Sequence, residues 1–166
     1  MACFFGHAWK GLKCEKCGKT RDIEKLIKSN DQKALSDVAF YDRDANIRGL
    51  AIRNLSDQKG LIRVAMSGIE QNVLLCTEAT KKITDQEALT YLAQHHKYSE
   101  TRIAAAKNLT DKNLAEKVFA EIALNDVIHY TGKEAVNELT NQKLLTDIAN
   151  NARHSEVREA ARKKLG

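Results

Sequence analysis

The sequence predicts an all-α protein: an α-solenoid of about five helix pairs, preceded by a small N-terminal cap. Three observations lead to this prediction. The 166 residues include no proline. Five segments of similar sequence follow one another without a gap from residue 30 to residue 165. Residues 1–21 are rich in cysteine and lysine and do not resemble the rest. We therefore divide the chain into a cap at 1–21 and a helical repeat domain at 22–166.

The composition favours long helices and excludes several classes of protein. Average proline usage of about 5% would give roughly eight prolines. Without proline, and with only eight glycines, few residues interrupt a helix. The chain has no apolar run long enough for a membrane helix, so we expect no membrane partner. The N-terminal residues lack the apolar region of a signal peptide. We therefore expect a cytoplasmic protein with reduced cysteines.

The five repeats occupy residues 30–55, 56–83, 84–109, 110–139 and 140–165, with lengths of 26, 28, 26, 30 and 26 residues. Each begins with a residue type that caps helix N-termini, because its side chain accepts a hydrogen bond from the first turn. The predicted caps are Asn30, Ser56, Thr84, Thr110 and Thr140. Thr84 and Glu87 also have the spacing of a capping box.

Apolar residues recur at the same positions of both helices in each repeat. The first helices place apolar residues at helical spacing at Leu35/Val38, Leu61/Val64, Leu89/Leu92, Val118 and Leu145/Ile148. The second helices share a small residue, at Ala51, Ala79, Ala105, Ala135 and Ala161. Four residues later each has a large one, at Leu55, Ile83, Leu109, Leu139 and Leu165. A small residue that recurs at one position indicates close helix contact, so the helix pairs should stack.

These first-helix and second-helix patterns resemble the HEAT-repeat class of α-solenoids in its short bacterial form. The arginine position of that family is matched by Arg48, Arg102 and Arg158, whereas Cys76 and Gly132 depart from it. The resemblance implies stacked helix pairs and a binding function rather than catalysis. The repeats are also similar to the variant leucine-rich repeat, which alternates α- and 3₁₀-helices behind an iron–sulfur segment. Its repeats normally contain proline, so we place it second.

The N-terminal segment has the residues of a metal site. Cys14 and Cys17 have the C-x-x-C spacing of a zinc knuckle, and Gly18 follows in the turn. A tetrahedral site needs two further ligands, and Cys3 and His7 are the nearest candidates. The segment looks like the short zinc ribbons of phage and bacterial proteins. The sequence therefore predicts a structural Zn²⁺ ion. An iron–sulfur cluster is the alternative, which would require Cys76 as a fourth ligand.

The aromatic residues of this segment have two interpretations. Trp9, Phe4 and Phe5 would form either a binding surface or an apolar patch that docks on the first helix. We favour docking, on Ile23, Leu26 and Ile27. The segment would then cover the end of the repeat stack.

A second candidate site is a row of basic residues. Residues 1–29 contain seven Lys/Arg and three Asp/Glu, which is +4 of the net charge of +5. The repeats are therefore nearly neutral. Nevertheless, one second-helix position is basic in four of them, at Arg53, Lys81, Lys107 and Lys163. The row would bind phosphates or an acidic partner, or it would only stabilise helix C-termini and be neutralised by nearby acids. We favour the second interpretation.

The remaining reactive residues have simpler explanations. Cys76 fits a buried small side chain better than a nucleophile. His95 and His96 end a first helix, and a metal site there is a minor alternative. His129 and His154 are predicted to be isolated surface residues. We predict a non-catalytic scaffold that binds another protein and carries a structural zinc site. Nucleic-acid binding through the basic tip and row is the alternative, followed by a HEAT-like enzyme acting on DNA.

Overall fold

The computed structural model describes residues 9–15, 20–67 and 72–166. These residues form two compact units, which are divided between Thr84 and Asp85. Within them lie eleven helices and one two-stranded sheet, so the all-α prediction is confirmed. None of these helices has the length and apolar character needed to cross a membrane.

The first unit contains a β-hairpin and five helices. The elements are β1 (Trp9–Lys10), β2 (Lys13–Cys14), α1 (Ile23–Lys28), α2 (Gln32–Tyr41), α3 (Ala45–Asn54), α4 (Gln58–Met66) and α5 (Val73–Thr80). The strands are antiparallel, with Trp9 opposite Cys14. Helix α2 packs against α3 and α4, and α5 packs against α3 and α4. First helices thus contact first helices, and second helices contact second helices.

The second unit contains three helix pairs. They are α6 (Gln86–His95) with α7 (Ser99–Asn108), α8 (Lys112–Asn125) with α9 (His129–Glu138), and α10 (Gln142–Asn151) with α11 (Ser155–Leu165). Helix α8 packs against α6 and α10, while α9 packs against α7 and α11. The unit is therefore a stack of three pairs with one layer of first helices and one layer of second helices.

The first helices begin one residue later than the sequence predicts. Their N-caps are Asp31, Asp57, Asp85, Asp111 and Asn141, whose side chains accept hydrogen bonds from first-turn amides. The predicted caps Asn30, Ser56, Thr84, Thr110 and Thr140 are therefore wrong, as is the capping box at Thr84. In four of the five helices the cap is an aspartate, whose charge also favours the positive end of the helix dipole.

The displaced residues join neighbouring repeats instead. The Gln32 side-chain oxygen accepts from the Ser56 amide at 2.7 Å and from its hydroxyl at 3.1 Å. The Gln32 amide group donates to the Asn54 carbonyl at 3.3 Å. The same arrangement recurs for Gln58 with Thr84 and for Gln86 with Thr110. Each glutamine thus holds the start of the next repeat in register.

The longer fourth repeat keeps this contact through a different residue. Glu116 accepts from the Thr140 amide at 2.8 Å and from its hydroxyl. Glu116 lies four residues beyond Lys112, the first residue of α8. The four extra residues therefore form one additional turn at the N-terminal end of α8, and the turn between α8 and α9 keeps the position that it has in the other repeats.

The core matches the repeating positions. All five alanines of the second helices are fully buried, and the paired residues of the first helices are buried as well. The large residues that follow the alanines are buried at Leu55, Ile83, Leu109 and Leu139, while Leu165 is half-buried. This burial confirms the packing positions predicted from the sequence. The small alanine side chains allow the helices to approach closely.

The hairpin docks on the C-terminal end of α2. The Leu12 amide donates to the Asp42 carboxylate at 2.8 Å, and the Arg21 amide donates to the Leu12 carbonyl at 2.7 Å. Gly11 has a positive φ of 64°, and a side chain there would meet the Asp42 Cα at 2.4 Å. Only glycine therefore fits this close approach.

Candidate protein-binding surface

The predicted metal ligands are only partly described. Cys14 lies on β2 and is fully buried. Cys3, His7 and Cys17 lie outside the described residues, as do Phe4 and Phe5. Within the ranges that the structure describes, no three His, Cys, Asp or Glu side chains are placed to hold a metal ion.

Trp9 forms part of the docked hairpin. It is half-buried, and the Arg21 guanidinium lies 3.9 Å from its ring centroid. Ile23, Leu26 and Ile27 of α1 are also half-buried. The hairpin contacts α2 and bonds to Asp42, and its predicted docking on α1 stays a prediction.

The members of the basic row differ in their contacts. Lys107 forms ion pairs with Glu134 at 3.2 Å and Glu138 at 2.9 Å. Partial burial lowers the pKa of Lys107, but its bonds to Glu138 and Glu134 raise it above the ordinary value. Lys163 lines an open groove between α9 and α11 together with other lysines and with glutamates. Arg53 and Lys81 are exposed at the ends of α3 and α5.

Two neighbouring lysines stabilise helix ends. Lys82 Nζ donates to the carbonyls of Ile52 and Arg53, each at 2.8 Å, and Lys164 Nζ donates to the Val136 carbonyl at 3.1 Å. Burial lowers the pKa of Lys82. These contacts are those expected of cations at helix C-termini, where unpaired carbonyls accumulate.

The recurring arginine has a similar role at the other end of the second helix. Arg48 donates to the Asp42 carbonyl at 2.7 Å, Arg102 to the Ala93 carbonyl at 2.9 Å and Arg158 to the Ala152 carbonyl at 2.6 Å. Each arginine thus satisfies a carbonyl at the end of the preceding first helix. Cys76 occupies this position in the second repeat and is buried, as predicted.

The most unusual surface lies at the turn between α8 and α9, residues 126–130, which we call the fourth turn. Three of its side chains are apolar and exposed: Val127 at 70%, Ile128 at 53% and Tyr130 at 76%. Adjacent exposed apolar residues of this kind mark interaction surfaces more often than scattered ones do.

The equivalent turns of the first, third and fifth repeats have a different character, whereas the second repeat has exposed Leu74 at the position of Tyr130. The position of Val127 is taken by Arg43, Lys97 and Arg153, and that of Tyr130 by Asn46, Glu100 and Glu156. The position of Ile128 is the N-cap of the second helix, which is Asp44 in the first repeat. Asp44 accepts from the Asn46 amide at 2.8 Å, whereas Ile128 offers no side-chain cap. Asn72, Tyr98 and His154 at the same position also make no side-chain cap hydrogen bond, so the cap of Asp44 is confined to the first repeat.

Asp126 holds the fourth turn and its neighbours together. Its carboxylate accepts from the Ile128 amide and from the Thr131 hydroxyl, each at 2.8 Å, and from Ser99 at the start of α7. Burial raises the pKa of Asp126, but these hydrogen bonds outweigh burial and hold the pKa below its ordinary value. The Asp126 carbonyl accepts from His154 Nε2 at 3.1 Å. Asp126 therefore links the turns of three successive repeats.

His129 and His154 meet at this surface. Their ring centroids are 6.1 Å apart, so the prediction that they are isolated is wrong, although both lie at the turns as expected. A carbonyl only accepts, so His154 carries its proton on Nε2. His95 ends α6, as predicted, and its ring lies 5.1 Å from that of Tyr91.

The fourth turn could not be recognised from single residues. The signal was present in the repeats: aligning residues 42–46, 96–100, 126–130 and 152–156 shows that a position held by Arg or Lys in three repeats becomes Val127 in the fourth. Comparison with protein-family models, with curated proteins and with solved structures finds no match to this chain.

Proposed function

We propose that this chain is a non-catalytic scaffold that binds another protein through the fourth turn. The exposed apolar side chains of Val127, Ile128 and Tyr130 support this most strongly. Val127 stands where the first, third and fifth repeats carry Arg43, Lys97 and Arg153.

The repeat architecture is consistent with this role. Three features support the HEAT-like α-solenoid interpretation: the pairing of the helices, the burial of the recurring alanines, and the arginines that donate to carbonyls at helix ends. In such a solenoid the turns of successive repeats form a continuous edge, and a partner bound at one turn reaches the next. A matching fold does not by itself indicate a function, so the proposal depends on the fourth turn.

We include a structural Zn²⁺ ion held by Cys3, His7, Cys14 and Cys17. Thiolate and imidazole ligands suit zinc, and the burial of Cys14 in the hairpin suits a closed structural site. When bound, the ion would cross-link the segment and would have no catalytic role. The hairpin is too small to hold a core, so a metal would stabilise it.

Nucleic-acid binding is the second candidate, with a DNA-acting enzyme behind it. The pairing of Lys107 with two glutamates weakens the case for the basic row, as does the groove that Lys163 shares with glutamates. Arg53 and Lys81 are also exposed, and this candidate would use them in contacts with phosphates. A steep loss of affinity with salt would favour this candidate over the apolar interface.

The proposal is tested by comparing the partners of wild type and of an Ile128→Asp/Tyr130→Ser variant. Tagged full-length protein is cross-linked in native cells, and the captured proteins are quantified by mass spectrometry with nuclease present. Leu74→Ser is a matched control, because Leu74 is 71% exposed on α5. We expect at least one protein to be lost from the double variant and kept by the control. Equal capture by all three chains would contradict the proposal.

A further inference from the structure

Two histidines from neighbouring repeats meet beside the fourth turn, and the proposed binding of a protein does not require them. His129 is the first residue of α9, and His154 is the N-cap of α11. Helices α9 and α11 pack against each other within the second unit, so neighbouring helices hold the two residues in place. Imidazole is the commonest metal ligand of proteins, and a pair of imidazoles is the minimum that defines a transition-metal site.

The separation of the two rings fits imidazoles that share one ion. Their centroids are 6.1 Å apart, and the ring planes are inclined by 61°. A zinc–nitrogen bond is about 2.0–2.1 Å long and a ring centroid lies about 1.1 Å behind the nitrogen, so two ligating rings have centroids at most about 6.4 Å apart. A tetrahedral angle at the ion brings the centroids to about 5.2 Å. His129 is exposed, so rotation of its side chain can close the remaining distance of about 1 Å.

The Asp126 carbonyl orients the ring of His154 as a metal ligand is usually oriented. His154 Nε2 donates to this carbonyl at 3.1 Å. The neutral ring then carries its free lone pair on Nδ1, which is the nitrogen that can bind an ion. Histidines that bind metals typically donate their other ring N–H to a carbonyl or a carboxylate, because this bond fixes the ring and raises its basicity. His154 is half-buried, so the ring is both held in place and open to solvent.

A carboxylate near both rings offsets the charge that an ion would bring. Its own backbone amide and the Ser155 hydroxyl lower the pKa of Glu156, and the charges of His129 and His154 lower it further. Both imidazoles therefore interact electrostatically with the same carboxylate. The N-terminal ends of α9 and α11 carry the positive ends of the helix dipoles, which oppose a cation. The negative charges of Glu156 and Asp126 act against this effect.

The number of ligands determines the kind of ion and the strength of binding. Among the residues that the structure describes, no third His, Cys, Asp or Glu is placed to complete a set of three. Water would therefore occupy the other coordination positions. Imidazole nitrogen suits Zn²⁺, Cu²⁺ and Ni²⁺, whereas Mg²⁺ and Ca²⁺ prefer oxygen ligands. Such a site is open and exchanges its ion with solution, unlike the closed four-ligand site proposed for the N-terminal segment.

We propose that His129 and His154 form a second metal site, which binds one divalent transition-metal ion in exchange with solution. His154 binds through Nδ1 while its Nε2 stays bonded to the Asp126 carbonyl. The ion joins the start of α9 to the start of α11 and so links the fourth and fifth repeats. The site does not depend on a protein partner at the fourth turn.

The proposal is tested by isothermal titration calorimetry of ZnCl₂ into the full-length protein, which is first loaded with one equivalent of zinc and dialysed. We expect the wild type to bind one further equivalent. His129→Gln and His154→Gln should each raise the Kd of this further ion at least tenfold. His95→Gln is the matched control, because His95 is also exposed at a helix end but its ring lies beside Tyr91. It should change the Kd less than twofold.

A second measurement on the wild type does not rely on variants that fold. Long-range ¹H–¹⁵N NMR spectra report the ring nitrogens of each histidine directly. Added Zn²⁺ should shift the resonance of His154 Nδ1 and of one nitrogen of His129, and it should leave His95 unchanged. The proposal is overturned if zinc shifts neither ring, or if His95→Gln weakens binding as much as the other two substitutions.

Discussion

The turn between α2 and α3 and the turn between α8 and α9 are built alike but are used differently. Asp42 and Asp126 occupy equivalent positions, and each accepts from the amide two residues later, Asp44 at 3.0 Å and Ile128 at 2.8 Å. In the first repeat the second carboxylate oxygen accepts from Leu12 of the hairpin. In the fourth repeat it accepts from Thr131 of its own helix.

The difference shows how one turn geometry supports two roles. The first turn is polar, has a capped helix and is contacted by a hairpin of the same chain. In the fourth turn the Asp126 carboxylate bonds to Ile128 and Thr131 of the same repeat, and the apolar side chains of the turn are exposed. The first turn therefore has an internal partner, whereas the proposed partner of the fourth turn is another protein.

The largest expected effect is that of removing the aspartates. Asp126→Ala removes the acceptor of four hydrogen bonds and should lower the free energy of unfolding by about 2 kcal/mol. Asp42→Ala should cost about 1 kcal/mol, because it releases mainly the hairpin. Urea denaturation followed by circular dichroism measures both. A larger loss for Asp42→Ala would contradict the view that Asp126 joins three repeats.

Gly11 tests the contact between the hairpin and the first turn. Gly11→Ala introduces a side chain at a positive φ and against the Asp42 backbone, which should cost about 1–2 kcal/mol and displace the hairpin. Trp9 is the only tryptophan, so its emission should shift to longer wavelength.

Gly49→Ala is the matched control for this substitution. Gly49 lies within α3, and a methyl group there would meet neighbouring atoms no closer than 3.4 Å. The substitution should raise the free energy of unfolding by up to about 1 kcal/mol. If Gly11→Ala leaves the Trp9 emission unchanged, the hairpin does not depend on this close approach.

Zinc removal tests whether the hairpin that contacts the first turn needs a metal ion for its stability. We expect about one zinc ion per purified chain from the four proposed ligands. Cys14→Ser or a chelator should remove it and shift the Trp9 emission, while the circular dichroism of the helices changes little. A brown protein with visible absorption would show an iron–sulfur cluster instead.

A smaller effect is expected from pH. Because the pKa of Asp126 is lowered in the folded state, its stabilising contribution is present above the ordinary carboxyl pKa. The contribution is lost as the pH falls through the folded pKa. The stability difference between wild type and Asp126→Ala should therefore be largest near pH 7 and decrease below about pH 4. A difference independent of pH would mean that the charge of Asp126 does not matter.

The sequence was sufficient for the helices and for the packing, because the buried alanines and leucines recur at fixed positions. It was insufficient for the caps. Both Ser56 and Asp57 suit an N-cap, and only the contact with Gln32 shows which one is used. The meeting of His129 and His154 was also hidden, since they belong to different repeats and approach only when the helix pairs stack.

The most direct test of the proposed role replaces the fourth turn by the first. Val127→Arg, Ile128→Asp, His129→Ala and Tyr130→Asn together reproduce residues 43–46. We expect the new cap to raise the free energy of unfolding by about 1 kcal/mol. We also expect the affinity for the partner captured by the wild type, measured with both proteins purified, to fall at least tenfold. Unchanged affinity would contradict the proposed binding role of the fourth turn.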